Sequence, residues 1–321
     1  MLGNEKTIER LKRDAREGRI ANAYLFCGDK GMGKKTLAQL FCLDIFCENG
    51  NSCRACAECR RVLSGNHPDI IRVTHEKPDI IKVDEVREQL CASVWIKPYG
   101  KRKIYIVDDA EKMAPQAQNA ILKTLEEPPE YVTVILLCSD EKSMLDTVKS
   151  RCVKVSLVPA GRETIAGFLE KEYGADSETA RKCAAFACGN PGAALRFFQD
   201  EDFQKLYSFT VELCRNIRTM DAGSMLRKAK ELIDEGYSLS GFFELLSFWY
   251  RDVLMAGSGA GRDSIIYSGE ENAIKRQAAY ISAGGCSGIM EGIDKARRRI
   301  NSNVSKELTL ELLFLEMKEA V

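Results

Sequence analysis

A chain of 321 residues is too long for one small core and favours two or three compact units. Apolar residues make up 45% and charged residues 29%, which excludes a disordered polymer, and the balance of 47 basic against 47 acidic side chains excludes a global positive field that would hold nucleic acid by itself. The first nineteen residues lack the apolar segment of a signal peptide and no later run reaches membrane-spanning length, so a cytoplasmic location without membrane contact is expected.

Residues 5–17 read as an amphipathic helix, and Ala23-Tyr24-Leu25-Phe26-Cys27 as a buried strand ending at Gly28. Helical spacing follows from Lys34 to Phe46. The apolar runs Ile70–Val73, Ile104–Val107 and Val132–Cys138 have the length and content of parallel-sheet strands, with helical stretches near 83–94 and 114–126 between them. Strands alternating with helices imply right-handed crossovers and a doubly wound α/β sheet, closed by a last strand at 153–157. From Arg162 onward only helical periodicity remains. Pro159-Ala160-Gly161 marks a boundary, Gly189-Asn190-Pro191-Gly192 a turn within a small helical unit, and Met255–Gly261 a flexible loop between helices.

Gly28-Asp29-Lys30-Gly31-Met32-Gly33-Lys34-Lys35-Thr36 follows a strand and opens a helix, the context of a P-loop. Gly28, Gly31 and Gly33 would let backbone N–H groups close around phosphate, while Lys34 reaches the terminal phosphates of ATP. The next position should carry the hydroxyl that ligates Mg²⁺, yet it is Lys35. Thr36 comes one residue late, about 100° further around the helix. Ile104–Val107 ends in Asp108 and Asp109, the form of a Walker B element in which the first acid supports Mg²⁺ and the second activates water. Aspartate at the second position is a methylene shorter than the usual glutamate. Nucleotide binding remains open on this reading, whereas Mg²⁺-assisted hydrolysis is doubtful. The alternative, that Asp108 and Asp109 only finish the strand, stays in play.

Cys47, Cys53, Cys56 and Cys59 lie in a polar segment with C-x5-C-x2-C-x2-C spacing. Four soft thiolates on one loop suit tetrahedral structural Zn²⁺ with no open coordination position, against a redox pair as the minor alternative. Cys42 competes for the first place, but its apolar helix favours a buried role. Ser150-Arg151-Cys152 precedes the last strand, and taken alone an arginine there is a surface residue.

Together these residues resemble the AAA+ clamp-loader family. Asn119–Pro129 (Asn-Ala-Ile-Leu-Lys-Thr-Leu-Glu-Glu-Pro-Pro) looks like its hallmark stretch, Ser150-Arg151-Cys152 like its SRC motif, and the four-cysteine insert like its zinc module. The likeness covers the first two hundred residues well and the remainder only by length and helical content. It implies an AAA+ P-loop domain with the zinc insert over 1–158, a helical lid over 159–204 and an all-α collar over 205–321. The hydrolysing gamma/tau members carry a P-loop Thr, a Walker B Glu and a sensor-2 Arg, and the matching positions here are Lys35, Asp109 and Gly192. The resemblance therefore implies a non-hydrolysing subunit whose Arg151 completes a neighbour's ATP site, with gamma/tau and delta as partners in a hetero-pentamer and the sliding clamp and primer-template DNA engaged by the assembly. An active gamma/tau-type ATPase is the alternative. A free DNA-binding module is disfavoured by the balanced charge, although Lys295-Ala-Arg-Arg-Arg299 keeps that reading alive.

Overall fold

Three apolar runs become the central strands of a parallel sheet because they are buried on both faces, and two partly exposed segments pair along its edges. In the computed structural model, which describes residues 2–77, 79–261, 264–302 and 304–320, β1 is Ala23–Cys27, β2 Ile70–Val73, β3 Lys103–Val107, β4 Val132–Cys138 and β5 Val153–Ser156. Met1 and Val321, the outer ends of the expected domain division, lie outside the described residues. The strand order is β2-β3-β4-β1-β5 and every pairing is parallel, with Ala23 opposite Val134 and Tyr24 opposite Val153. All residues of β1, β3 and β4 are buried, as a sheet covered by helices on both sides requires.

Strand alternation divides the core between the two faces. Leu25, Tyr105, Val107, Val134 and Leu136 pack with Ile121 and Leu125 of the helix Pro115–Glu126. Tyr24, Phe26, Ile104, Ile106, Ile135 and Leu137 pack with Leu37 and Phe41 of the helix Lys34–Phe46, and Leu11 of the first helix, Glu5–Arg16, joins this second face. The stretch expected as helix near 83–94 is a single α-turn, Val83–Val86, running into a π-helical segment, Arg87–Cys91, whose Leu90 is fully buried.

The chain forms two compact units. The first contains the sheet up to Thr164 and also Asn190–Gly192; the second contains Ile165–Gly189 and the chain from Ala193 onward. Asn190–Gly192, part of the turn that the sequence puts in a small helical unit, groups with the first.

The described residues of the second unit are helical, as the loss of period-two patterning after Arg162 predicts. Side-chain caps fix several starts: Asp176 accepts from the N–H groups of Glu178 and Thr179, Asp221 from Ser224, Ser238 from Gly241 and Ser282 from Gly285. Its core is aromatic. Phe186 meets Phe203, Tyr207 and Tyr267 edge-on, and Trp249 meets Tyr267 at 5.0 Å. The loop expected at Met255–Gly261 begins later than its composition suggests, because the helix Leu239–Gly257 carries through Met255, Ala256 and Gly257. Burial of Trp249, Tyr250 and Val253 sustains that helix. Asp252, with no exposed surface, accepts from the N–H groups of Ile266 and Tyr267 at 2.7 and 2.8 Å and meets Arg251 at 2.7 Å, so a buried carboxylate anchors the next segment. Among the described residues no helix is long and apolar enough to cross a membrane.

Candidate functional site

Gly31 and Gly33 take φ of +95° and +93°, the left-handed region that lets the loop between β1 and the helix Lys34–Phe46 turn back on itself. The sequence expectation of a strand, a glycine loop and a helix is therefore met in shape. What the loop encloses is its own chain. Lys34 is buried, and its Nζ donates to the carbonyls of Gly28 (2.5 Å) and Asp29 (3.1 Å) and to Ser139 Oγ (2.8 Å) at the end of β4. Burial lowers the pKa of this amine, and the nearby acids Glu111 and Asp109 oppose the shift.

The turn 190–192 closes on the same loop. Asn190 Nδ2 donates to the Lys30 carbonyl at 2.8 Å and the Gly192 N–H to the Gly31 carbonyl at 3.1 Å. A Cβ on Gly192 would stand 2.6 Å from that carbonyl oxygen and 2.8 Å from Gly31 Cα. No side chain fits at position 192 in this arrangement, so the absence of an arginine there and the close approach of the two backbones are one fact.

At the end of β3, Asp108 Oδ2 lies 3.0 Å from Lys35 Nζ and 3.9 Å from Arg72, while its buried Oδ1 has no hydrogen-bond partner among the described residues. Thr36 is exposed one position further along the helix. Asp109 is left-handed at φ 49°, ψ 49°, and pairs with Lys112 at 2.9 Å, a hydrogen bond that holds its carboxyl below the usual carboxylate range. The two acids thus face ammonium groups of their own chain. This donor set does not match a Mg²⁺–ATP site, which needs a hydroxyl where Lys35 stands. Ser139, Arg72 and Asn190 were not anticipated from sequence; only Ser139, directly after an apolar strand, had a positional signal.

The four predicted thiols come together. The Sγ atoms of Cys47, Cys53, Cys56 and Cys59 all lie within 4.8 Å of one another. Backbone N–H groups point at them: Cys53 N to Cys47 Sγ at 3.3 Å, and Cys56 N to Cys53 Sγ and Cys59 N to Cys56 Sγ at 3.4 Å each. Such donors stabilise thiolates. The N–H groups of Ala55 and Cys56 bring Cys53 down to about 6, whereas burial and neighbouring thiols push Cys59 up to about 12. Ser52 and Arg54 adopt positive φ, and Ser52 Oγ donates to Asp44, which shapes the loop around the cluster. The donor set fits a tetrahedral structural Zn²⁺, which Cys47, Cys53, Cys56 and Cys59 would hold. Cys42, buried and pushed up to about 12, belongs to the core.

Glu58 ties this loop to the sheet domain. Its carboxylate lies 2.8 Å from Nε2 of the buried His67, whose ring packs tilted against Phe46 with centroids 4.0 Å apart and which accepts the Asp69 N–H at Nδ1.

Arg151 sits between the short helix Asp146–Lys149 and β5 and is about one-third exposed. Its Nη1 donates to the Thr147 carbonyl at 2.8 Å and its Nη2 lies 2.5 Å from Glu126 Oε1. In the second unit, on the helix Ala283–Asn301, Lys295 and Arg298 are exposed while Arg297 and Arg299 are half-buried, so the basic run is not a single solvated face.

A parallel sheet in this order, with a P-loop after β1, paired acids after β3 and an SRC arginine before β5, defines an AAA+ module. Residues 3–160 match the family model described as "DNA polymerase III, delta subunit", so the sheet-bearing part of the chain is similar to the clamp-loader subunits of DNA polymerase III. The chain is similar to the DNA polymerase III subunit delta' of Bacillus subtilis, 27% identical over 98% of this chain and 96% of that one. It is also similar to the tau/gamma subunit of Haemophilus influenzae, 35% identical over 49% of this chain, and spans 23% of that longer protein. Among solved structures, a gamma subunit-related protein of Thermotoga maritima covers 98% of this chain at 20% identity with a TM-score of 0.45.

Proposed function

We propose that this chain is the delta-prime-type subunit of the clamp loader, which helps load the sliding clamp onto primed DNA while hydrolysing little or no ATP itself. The observation that carries the reading is the Lys35–Asp108 pair, an ammonium placed on the carboxylate that would support Mg²⁺. Lys34 turned onto its own loop, Asp109 in the place of glutamate and Gly192 in the place of the sensor-2 arginine point the same way. On this reading Arg151 acts in trans as an arginine finger on ATP bound by a gamma/tau neighbour, where its permanent charge and paired donors suit phosphate oxygens.

With 159–204 as a helical lid, the collar over 205–321 would then hold the ring with gamma/tau and delta, and the assembly would engage clamp and primer-template DNA in the cytoplasm. Two measurements test the proposal. Steady-state hydrolysis by the isolated chain is expected at background, and turnover typical of an active AAA+ ATPase that Lys34→Ala abolishes would favour the gamma/tau alternative. In the reconstituted loader, Arg151→Ala should leave assembly intact and lower clamp- and DNA-stimulated hydrolysis, since a finger in trans contributes roughly 10³- to 10⁵-fold in phosphoryl transfer. Normal loading by that mutant ring would make Arg151 a surface residue.

A further inference from the structure

Arg151 does not hang free. Its guanidinium is gripped on one side by Glu126 Oε1, 2.5 Å from Nη2, and on the other by the Thr147 carbonyl, 2.8 Å from Nη1, with Ser150 Oγ at 3.4 Å. Glu126 is the last residue of the helix Pro115–Glu126, which ends before Pro128 and Pro129, so the carboxylate stands at a fixed point of the domain frame. Its helix packs into the core through Ile121 and Leu125. Thr147 lies in the short helix Asp146–Lys149, whose Val148 is fully buried.

We infer that Glu126 is a positioning residue for Arg151: by accepting from one Nη it fixes the plane and direction of the guanidinium, leaving the remaining N–H groups of a partly exposed side chain free to meet phosphate oxygens. The inference rests on the finger reading of Arg151 proposed above. A guanidinium carries five N–H donors in a rigid fork, so anchoring one corner orients the rest. A long exposed arginine without such an anchor samples many rotamers, and reactive geometry is sensitive to displacements of order 1 Å, which can cost roughly 100-fold. Glu126 and Arg151 are both partly exposed, which limits what their attraction gives to folding stability and leaves orientation as the effect to be measured.

The test is a double-mutant cycle in the complete loader, reconstituted from this chain with gamma/tau and delta, reading kcat and KM for ATP with clamp and primed DNA present. Glu126→Ala is expected to lower kcat about 10-fold with KM nearly unchanged, the partial loss that follows from a loosened rather than deleted finger. The same change in an Arg151→Ala background should add nothing. Glu126→Gln, which keeps an acceptor oxygen in place without the charge, should recover part of the loss, and it carries the cycle if the alanine variant folds poorly. An unaltered kcat in Glu126→Ala alongside a lowered one in Arg151→Ala overturns the positioning role and leaves the finger standing. A Glu126 effect that persists without Arg151 shows a structural role and likewise overturns it, as does a raised kcat, which would make Glu126 a brake. If Arg151→Ala itself is silent, the finger reading fails first and this inference falls with it.

Discussion

Lys35 Nζ stands 3.0 Å from Asp108 Oδ2, at the acid that in an active P-loop enzyme would help hold the metal. The two side chains are 66% and 24% exposed, so the pair contributes only about 0–1 kcal/mol to stability. Its weight is chemical. Lys35→Thr is expected to leave thermal stability almost unchanged and to make any nucleotide binding more dependent on Mg²⁺, as titration calorimetry with and without the ion would show. Hydrolysis should stay at background, because Asp109 and Gly192 remain.

The purified protein should carry one zinc per chain by metal analysis, with four Zn–S bonds near 2.3 Å by X-ray absorption. Cys56→Ser should abolish or sharply weaken retention. Chelation should loosen the segment from Cys47 to Cys59 while the parallel sheet persists, since the ligands stand outside β1–β5 even though Cys47 and Cys59 pack on the core face that holds Phe41. Stoichiometric zinc in Cys56→Ser would refute the ligand set.

Metal loading should release protons in an order set by the loop. With its thiol near 6, Cys53 is already a thiolate at pH 7.5, whereas Cys59, near 12, must give up its proton when zinc binds. Affinity should therefore fall more steeply once the pH drops through about 6, where Cys53 also becomes a thiol. Calorimetry in two buffers of different ionisation enthalpy counts the protons, and a proton release at pH 7.5 that Cys59→Ser leaves unchanged would contradict the order.

Gly192→Ala places a methyl 2.6 Å from the Gly31 carbonyl oxygen, a backbone atom that cannot swing aside. The expected cost is about 1–3 kcal/mol, seen as a lowered denaturation midpoint. An unchanged midpoint would show that the turn 190–192 lifts off the loop freely.

Asp252→Ala would strand the buried N–H groups of Ile266 and Tyr267 and leave Arg251 without its carboxylate. A loss of about 3–5 kcal/mol is expected, the scale for breaking a buried charged network from one side. Asp252→Asn should lose less, because an amide oxygen can still accept. Equal losses in denaturant melts would point to charge rather than hydrogen bonding.

The parts of this site carried by local patterns could be read from the sequence. A strand, a glycine loop and a helix announce themselves through apolar run length and turn residues, and four thiols at close spacing must meet because the chain between them is short. Lys35 in place of a hydroxyl was legible for the same reason, being one step from Lys34. Contacts across the chain were not. Glu126 with Arg151, Arg72 near Asp108, and Asn190 on Lys30 join residues distant in sequence whose proximity only the tertiary fold creates, and no period in the sequence encodes them. The extent of the helix Leu239–Gly257 escaped for another reason: Met255-Ala256-Gly257 has loop-like neighbours, but burial of Trp249 and Val253 outweighs the weak preference of a terminal glycine.

The strand order also governs how the protein is made. β1 is the first strand to leave the ribosome, yet both of its partners, β4 and β5, are among the last of the sheet to follow: Ala23 must wait for Val134, and Tyr24 for Val153. β2 and β3 can pair earlier. Throughout that interval the strand bearing the phosphate loop is an apolar ribbon with both edges open, the kind of segment that associates with other chains when it is exposed. Arrest of synthesis anywhere before Val132 therefore leaves Tyr24, Leu25 and Phe26 without a sheet to enter, and such truncated products should be far more dependent on chaperones than chains released after Ser156.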